Sequence, residues 1–474
     1  MWIKWLKSRK PPWPRSQISC RKWDRSEVLQ SISPAVEPQI CFADVIRNAK
    51  RAGSRLAEKS SFERSQALFA LADGIALRAD DFARAIVYEG VKTITEARGE
   101  VARAELTFRI AAEEIKRFSG ERIDFSADPR GAGRHGWVDR KPVGVVLGIT
   151  PFNDPLNLIA HKVAPAIATG NAVIIKPHPD TPTPAVMLEG LAKQIDTLGN
   201  SLQVFLADGA TTEAMIKHPD VDLVSFTGGR ETAKHVARAA AGKPLMMELG
   251  GVAVTIVHKD ADVDAAIPAL VSGITAAAGQ NCLHVQRVLV HDSIRKEVEA
   301  HLAQRLNELV IGDRLNDQTE MGRLINRDAF HRCIDWVHDA VSGGGYVICG
   351  DYNDDTVTKP ILIGDPGPNS NIVTQEIFGP LTTLESYSDI DEAIAMAARS
   401  GPALAAAVFT RDIHVPHKLS QLKVGQIMVN DTTDFRIDSM PFGGPSSAGI
   451  GREGVRSSML AMTEPQVFCI KAPV

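Results

Sequence analysis

What most restricts the fold of this 474-residue chain is a recurring pattern of two alternating textures. The runs VGVVLGIT (143–150), AVIIK (172–176), LQVFLA (202–207) and VDLVSFTG (221–228) are short, apolar and rich in β-branched residues, with Gly, Pro or Asp at their borders. They lack the polar–apolar alternation of a half-solvated strand, so they read as strands covered on both faces, the condition of a parallel sheet. Between them lie stretches of helical spacing such as TPAVMLEGLAKQIDTLG (183–199). A second series starts near residue 255 with TIVHKDADVDAAIPAL and continues through RVLVH. Strand and helix in alternation predict a doubly wound α/β architecture, and a chain of this length exceeds what one core usually organises. No internal repeat or low-complexity stretch interrupts the pattern.

Composition matters mainly for what it excludes. With 44% hydrophobic and 23% charged residues the chain has the balance of a globular protein. Its six cysteines are scattered, with no CxxC pair, so neither a disulfide framework nor a zinc site is expected and a reducing cytoplasm is the plain reading. No metal is expected. No apolar run reaches membrane-spanning length. The net charge of −4 hides an uneven distribution: residues 1–25 hold eight Lys/Arg against the single Asp24, together with Trp2, Trp5, Trp13 and Trp23. A basic aromatic arm can touch nucleic acid or an anionic membrane, but Pro11, Pro12 and Pro14 break any helix there. A poorly ordered arm is the simpler expectation, with neither nucleic acid nor membrane as partner.

The first candidate for chemistry is Cys282, in AAAGQNCLHVQR (276–287). A nucleophilic thiolate needs a lowered pKa, access and nearby backbone donors, and GQNC supplies small, flexible neighbours. A lone cysteine is more often a packing residue. Here it keeps company. In MELGG (247–251), Glu248 stands at the end of an apolar run, where general-base work would explain a carboxylate. In GITPFNDPLN (148–157) an apolar strand runs into Asn153, whose side-chain amide can donate to an oxyanion. IIKPHPDTP, SFTGG, EIFGP and MPFGG complete an ordered set.

With these motifs the chain, over roughly residues 26–474, resembles the aldehyde dehydrogenase superfamily. PFNDPLNLIAHKVAPAIATGN and VNDTTDFRIDSMPFGGPSSAGIGREGV look most like its lactaldehyde and phosphonoacetaldehyde dehydrogenase branches. The resemblance implies an NAD(P)-binding domain over 26–249, with 121–141 in a small β oligomerisation element, and a catalytic α/β domain over 250–442. A return segment and oligomerisation strand over 443–474 complete the fold. It implies Cys282 as nucleophile, Glu248 as general base, and Asn153 with the Cys282 amide as oxyanion hole. Lys176, Gly228, Gly229, Glu376 and Phe378 would hold NAD or NADP, with Thr150, Pro151, Phe152, Pro179 and Leu249 beside them. The aldehyde would be oxidised to an acid through a thiohemiacetal and a thioester, by a homodimer or homotetramer whose tail EPQVFCIKA (464–472) extends a neighbour's sheet.

Some positions depart from the common pattern. Pro179 stands where NAD-preferring members carry a glutamate that grips the ribose, so NADP is allowed, and Arg230 is placed to meet its phosphate. FLADGA replaces a glycine-rich turn, and Ala233 and Ala448 replace a glycine and a serine. In the aldehyde channel, His161 and Arg436 stand where members acting on fatty or aromatic aldehydes carry aromatics. Asn157 shares a helical face with His161, and His284 follows the nucleophile. A polar, cationic pocket is expected, suited to a short aldehyde with an anionic or hydroxylated tail. The alternatives are a coenzyme-A-acylating semialdehyde dehydrogenase, against which Glu248 argues, and an inactive binding or structural member of the fold.

Overall fold

A computed structural model describes residues 41–353 and 356–471. The basic arm at residues 1–25 lies outside them. The residues from Phe42 onward form one compact unit containing three sheets. The first has the spatial order Gly449–Ile450, Leu245–Glu248, Leu223–Thr227, Val145–Ile149, Ala172–Lys176, Leu202–Val204. All its neighbours are parallel except Gly449–Ile450, which runs antiparallel to Leu245–Glu248. Alternate side chains enter two different cores: Val145, Leu147, Ile174, Val224 and Phe226 on one side, Val146, Val173, Ile175, Leu223 and Met246 on the other. Covered on both faces, each strand needs an uninterrupted apolar run.

From Val145–Ile149 the chain moves outward through Ala172–Lys176 and Leu202–Val204, then returns to the opposite side as Leu223–Thr227. That central strand is the topological switch point, and the crevice beyond its carboxyl end is where open α/β sheets bind ligands. The stretch 183–199 is helical only over Thr183–Ala192; turns then bring the chain back to the sheet. Gly148 lets the following helix, Asn157–Thr169, sit close, because a Cβ there would lie 3.2 Å from Cδ of that helix's Lys162 and 2.7 Å from Ile175 Cδ1 on the adjacent strand.

The second sheet has seven strands in the order Tyr346–Tyr352, Val357–Gly364, Leu381–Tyr387, Val285–His291, Ala253–Val257, Ala403–Phe409, Val424–Val429. Only the first pairing is antiparallel. The third sheet joins Glu121–Arg122, Arg134–Pro142 and Thr463–Lys471. Its outer strand leaves Val467 and Ile470 more than half exposed, and Trp137 stacks on Phe468 at 5.1 Å. Among the described residues no helix is long and apolar enough to cross a membrane, and no cluster of His, Cys, Asp and Glu could hold a metal ion.

Candidate active site

Candidate residues gather between the carboxyl ends of the six-stranded sheet and the amino ends of the seven-stranded one. Thr150, Lys176, Gly228 and Glu248 end or follow four adjacent parallel strands. Cys282 and the Glu376–Phe378 segment precede Val285–His291 and Leu381–Tyr387. Parallel strands deliver their termini to one edge, so residues far apart in sequence meet there.

On the first sheet's side the geometry suits a dinucleotide. The ten-residue helix Arg230–Ala239 begins at Gly229 with no side-chain cap, leaving its first amides free for a phosphate. A Cβ at Gly229 would meet nothing within 4 Å. Lys176 is half-buried and its ammonium has no acceptor among the described residues, so burial lowers its pKa. Thr150 Oγ1 and Glu376 Oε1 are buried polar atoms without partners among the described residues. Burial, opposed by Arg230 and a Gly251 amide bond, pushes Glu376 up to about 7. A Cβ at Gly250 would lie only 1.7 Å from Glu376 Oε2, so glycine is required there. Phe152 meets Phe378 edge-on at 5.7 Å and His178 at 5.2 Å; Pro151 is partly buried and Pro179 exposed. Leu249 is buried, its amide donating to the Ala448 carbonyl at 3.1 Å.

Arg230 does not reach toward a phosphate. Its Nε donates to the Gly250 carbonyl at 2.9 Å and a terminal nitrogen donates to Pro402 at 2.6 Å, so the guanidinium ties the two sheets' loops together.

The loop that carries Cys282 is tightly constrained. Ala277, Ala278 and Gly279 have φ of 52°, 54° and 69°, a left-handed stretch costly for the two alanines. Glu96, from the start of the helix Ile94–Glu114, accepts from the Ala277 amide at 2.8 Å. Gln280 donates to the Arg323 carbonyl at 2.8 Å and accepts from the Ile325 amide at 2.9 Å. A Cβ at Gly279 would lie 2.3 Å from the Gly379 carbonyl oxygen, so this loop rests directly on EIFGP. Gln286 holds the other side of that segment, donating to Gln375 at 2.7 Å and accepting from the Ile377 amide at 3.0 Å.

Cys282 itself is partly buried beside Leu283, Leu404, Phe442 and Ala448. Its pKa moves opposite to the lowered value expected from sequence. Burial raises it well above the usual thiol range, Glu376, Asp154 and Asp434 raise it further, and only Arg436 opposes them. The thiol is a desolvated group facing carboxylates, and it needs a proton acceptor or an added positive charge to ionise. Neither the Cys282 amide nor the Asn153 side chain donates to a described residue, although Asn153 is buried. Both donors remain open for an oxyanion.

Glu248 lies in the segment's other wall, a Cβ at Gly443 falling 2.8 Å from its Oε1. Its Oε1 accepts from the Glu453 amide at 3.2 Å, and its Oε2 is buried with no partner. Burial and then the neighbouring Glu453 raise its pKa well above the carboxylate range, while Lys162 and Arg436 oppose this. Lys162 is buried under it, donating to Thr227 at 2.8 Å, Ser225 at 3.1 Å and Glu453 at 3.3 Å. Sequence reading missed both Lys162 and Glu453, although a lysine on an apolar helix is a signal that a buried partner exists.

The residues expected from sequence to line the aldehyde pocket are brought together with one exception. Asp438 Oδ1 accepts from His161 at 2.9 Å, Asn157 at 3.2 Å and Arg103 at 3.1 Å. Arg436 lies 3.3 Å from His161 Nε2 and 3.4 Å from Glu453, and stacks 3.9 Å above the Phe442 ring. It pairs with neither Asp434 nor Asp438. The buried Arg436 Nε, Arg103 Nε and His161 Nδ1 have no partners among the described residues. Burial and then Arg436 lower the His161 pKa, favouring the neutral ring. His284 is the exception: it is buried with Nε2 2.9 Å from the Leu381 carbonyl and Nδ1 3.3 Å from that of Gly273. It lies just before Val285–His291, and both ring nitrogens face backbone carbonyls of the second sheet's surroundings, so the fold takes up its hydrogen-bonding groups. Arg103 and Asp154 were not singled out from sequence; Asp154 follows Asn153 and pairs with Lys92, which also donates to Glu100 at 2.9 Å.

The model of the Aldehyde dehydrogenase family matches residues 17–468. Aspartate-semialdehyde dehydrogenase 1 of Pseudomonas canavaninivorans is 37% identical over 435 residues, covering 91% of this chain and 93% of that protein. The 3-sulfolactaldehyde dehydrogenase of Priestia aryabhattai is 34% identical over 454 residues, covering 94% and 95%. Among solved structures, the glyceraldehyde-3-phosphate dehydrogenase GapN of Methanocaldococcus jannaschii complexed with NADP superposes with a TM-score of 0.86 at 31% identity, covering 91% of this chain and 94% of that one.

Proposed function

The chain belongs to the aldehyde dehydrogenase family of NAD(P)-dependent enzymes, and we propose that it oxidises a short polar or anionic aldehyde to the free carboxylic acid. One observation carries this reading: among the described residues the Cys282 backbone amide, the Asn153 side-chain amide and Glu248 Oε2 have no partners, and the Cys282 thiol is desolvated. A bound nicotinamide cofactor would supply the hydride acceptor and, when oxidised, a positive ring near the thiol. Lys176, the Gly229 helix start and Glu376 would hold it. Pro179 puts no carboxylate beside the ribose, so NADP as well as NAD is accommodated.

Cys282 adds to the aldehyde carbonyl, and the two open amides receive the alkoxide where its charge develops. Loss of hydride leaves a thioester on Cys282. Glu248, made a stronger base by burial and by Glu453, takes a proton from water, and the hydroxide equivalent releases the acid. The retained base supports hydrolysis over transfer to coenzyme A. The substrate's tail meets Arg436, with Arg103 and His161 behind it, and a guanidinium binds a carboxylate, sulfonate or phosphonate by paired charge-assisted bonds. The relatives' names, covering sulfolactaldehyde, aspartate semialdehyde and glyceraldehyde-3-phosphate, support an anionic tail. The exposed edge of Thr463–Lys471 supports assembly as a dimer or tetramer.

The test is a panel of short neutral and anionic aldehydes with NAD and NADP, following reduced nicotinamide and identifying the product with and without coenzyme A. Free acid from anionic aldehydes is expected. Acyl-coenzyme A as the sole product, or a preference for neutral long-chain aldehydes, refutes the reading.

A further inference from the structure

The pocket contains two acidic groups that recognition of an anionic tail leaves unused. Asp154 follows the oxyanion donor Asn153, and one of its oxygens pairs with Lys92; the other has no hydrogen bond to a described residue. Asp434 is bound through one oxygen to Asn281, which precedes the nucleophile, and its second oxygen is likewise unengaged. Asp434 is bound to Asn281, the residue before Cys282, and Asp154 follows Asn153, so each carboxylate is tied to a residue assigned to the reaction, while Arg436 and Arg103 supply the cations.

These two acids differ in their compensation. Asp154 has Lys92 in contact and Arg103 in range, and despite burial its pKa stays below the ordinary value. Asp434 has only an amide in contact. Burial pushes it up to about 7, and the nearby negative Asp154 adds to this, so a cation placed between the two would restore its charge. Beside them stand Arg436, whose side chain is 5% exposed, and Arg103, each with a buried Nε unpartnered. Asp154 is paired with Lys92, Arg103 with Asp438 and Arg436 with Glu453, and the pocket keeps further hydrogen-bonding positions open on groups of both signs: one oxygen on each aspartate and Nε on each guanidinium. A tail with only a carboxylate would satisfy the guanidinium groups and repel the two aspartates. A neutral hydroxylated tail would offer these open positions no charge-assisted bond.

We propose that the preferred substrate is a short aldehyde whose tail carries an ammonium next to a carboxylate, an amino-acid semialdehyde, with the ammonium between Asp154 and Asp434 and the carboxylate on Arg436 and Arg103. This rests on the anionic-aldehyde reading above and narrows it. The ammonium lies nearer the reacting carbon, since Asp154 and Asp434 neighbour Asn153 and Asn281, which flank the reaction centre.

The test compares kcat/KM for aspartate 4-semialdehyde and succinate semialdehyde, which differ only in the amino group, using the full-length enzyme with NAD and NADP. At least a tenfold preference for the amino compound is expected. D154N and D434N should each lower that ratio at least fivefold; because both rates come from one preparation, any inactive fraction cancels. A wild-type ratio of one or less, or a ratio unchanged in both variants, overturns the proposal and leaves the anionic reading standing. Failure to oxidise either compound, while neutral aldehydes are oxidised, overturns both.

Discussion

Replacing Gly250 with alanine should separate cofactor binding from folding. The new Cβ would lie 1.7 Å from Glu376 Oε2, 2.3 Å from its Cδ and 2.4 Å from Oε1. Ordinary contact begins near 3.4 Å, so the carboxylate must retreat by roughly 1.7 Å. The obstructing atoms are the end of a flexible side chain rather than backbone, so the fold should accommodate the change by moving them. A shift of that size breaks hydrogen bonds, which weaken steeply beyond their 2.7–3.2 Å range. Two ribose hydroxyl bonds to a charged acceptor are worth about 1.5–3 kcal/mol each. Because Glu376 titrates at about 7 it is only partly ionised at neutral pH, so a net loss of about 2–4 kcal/mol is the appropriate range, or roughly 30- to 1000-fold in kcat/KM for the cofactor. Initial rates at saturating aldehyde with varied NAD and NADP measure this, and a melting curve within a few degrees of wild type checks the fold. Cofactor efficiency within threefold of wild type in a folded variant would show that Glu376 does not hold the ribose.

The same carboxyl makes a pH prediction. Its raised pKa means that it is mostly protonated below pH 6 and ionised above pH 8, so cofactor efficiency should rise across that window; in Glu376→Gln this component should vanish. Cys282→Ala should abolish oxidation, whereas Glu248→Gln should give a rapid burst of reduced nicotinamide and then stall as the thioester; steady turnover by Cys282→Ala would remove the assigned nucleophile. Pro179→Glu should raise the NAD-to-NADP efficiency ratio about tenfold, roughly 1.4 kcal/mol, by placing a negative charge beside the 2′-phosphate; an unchanged ratio would move the ribose elsewhere. Arg436→Leu should cost about 2–4 kcal/mol in kcat/KM for an anionic aldehyde and far less for propionaldehyde. Equal losses would make Arg436 a support for the loop before PFGG, through its stack on Phe442 and its pair with Glu453.

The strands were legible because a strand buried on both faces must be apolar at every position, and that requirement is written in contiguous residues. Val145–Ile149 and Leu223–Thr227 therefore fall inside the runs read from sequence. Cys282, Glu248, Asn153 and Glu376 could be proposed from sequence for a related reason: each sits in a short motif whose glycines and prolines record local backbone demands, as Gly250 does against Glu376. Other features depend on pairings across the chain. Arg103, Asp438, Asn157 and His161 form one cluster from three separate segments, and no local pattern marks Arg103 as different from other arginines of its helix. His284 looked like a pocket residue by proximity in sequence, yet it is buried against two backbone carbonyls, of Gly273 and Leu381, that come from elsewhere in the chain. The direction of the Cys282 shift depended on tertiary structure for the same reason. A thiol's ionisation is set by the water removed from it and by the charges facing it, and here Glu376, Asp154 and Asp434 arrive from sequence positions on both sides of Cys282 only when the sheets bring their edges together.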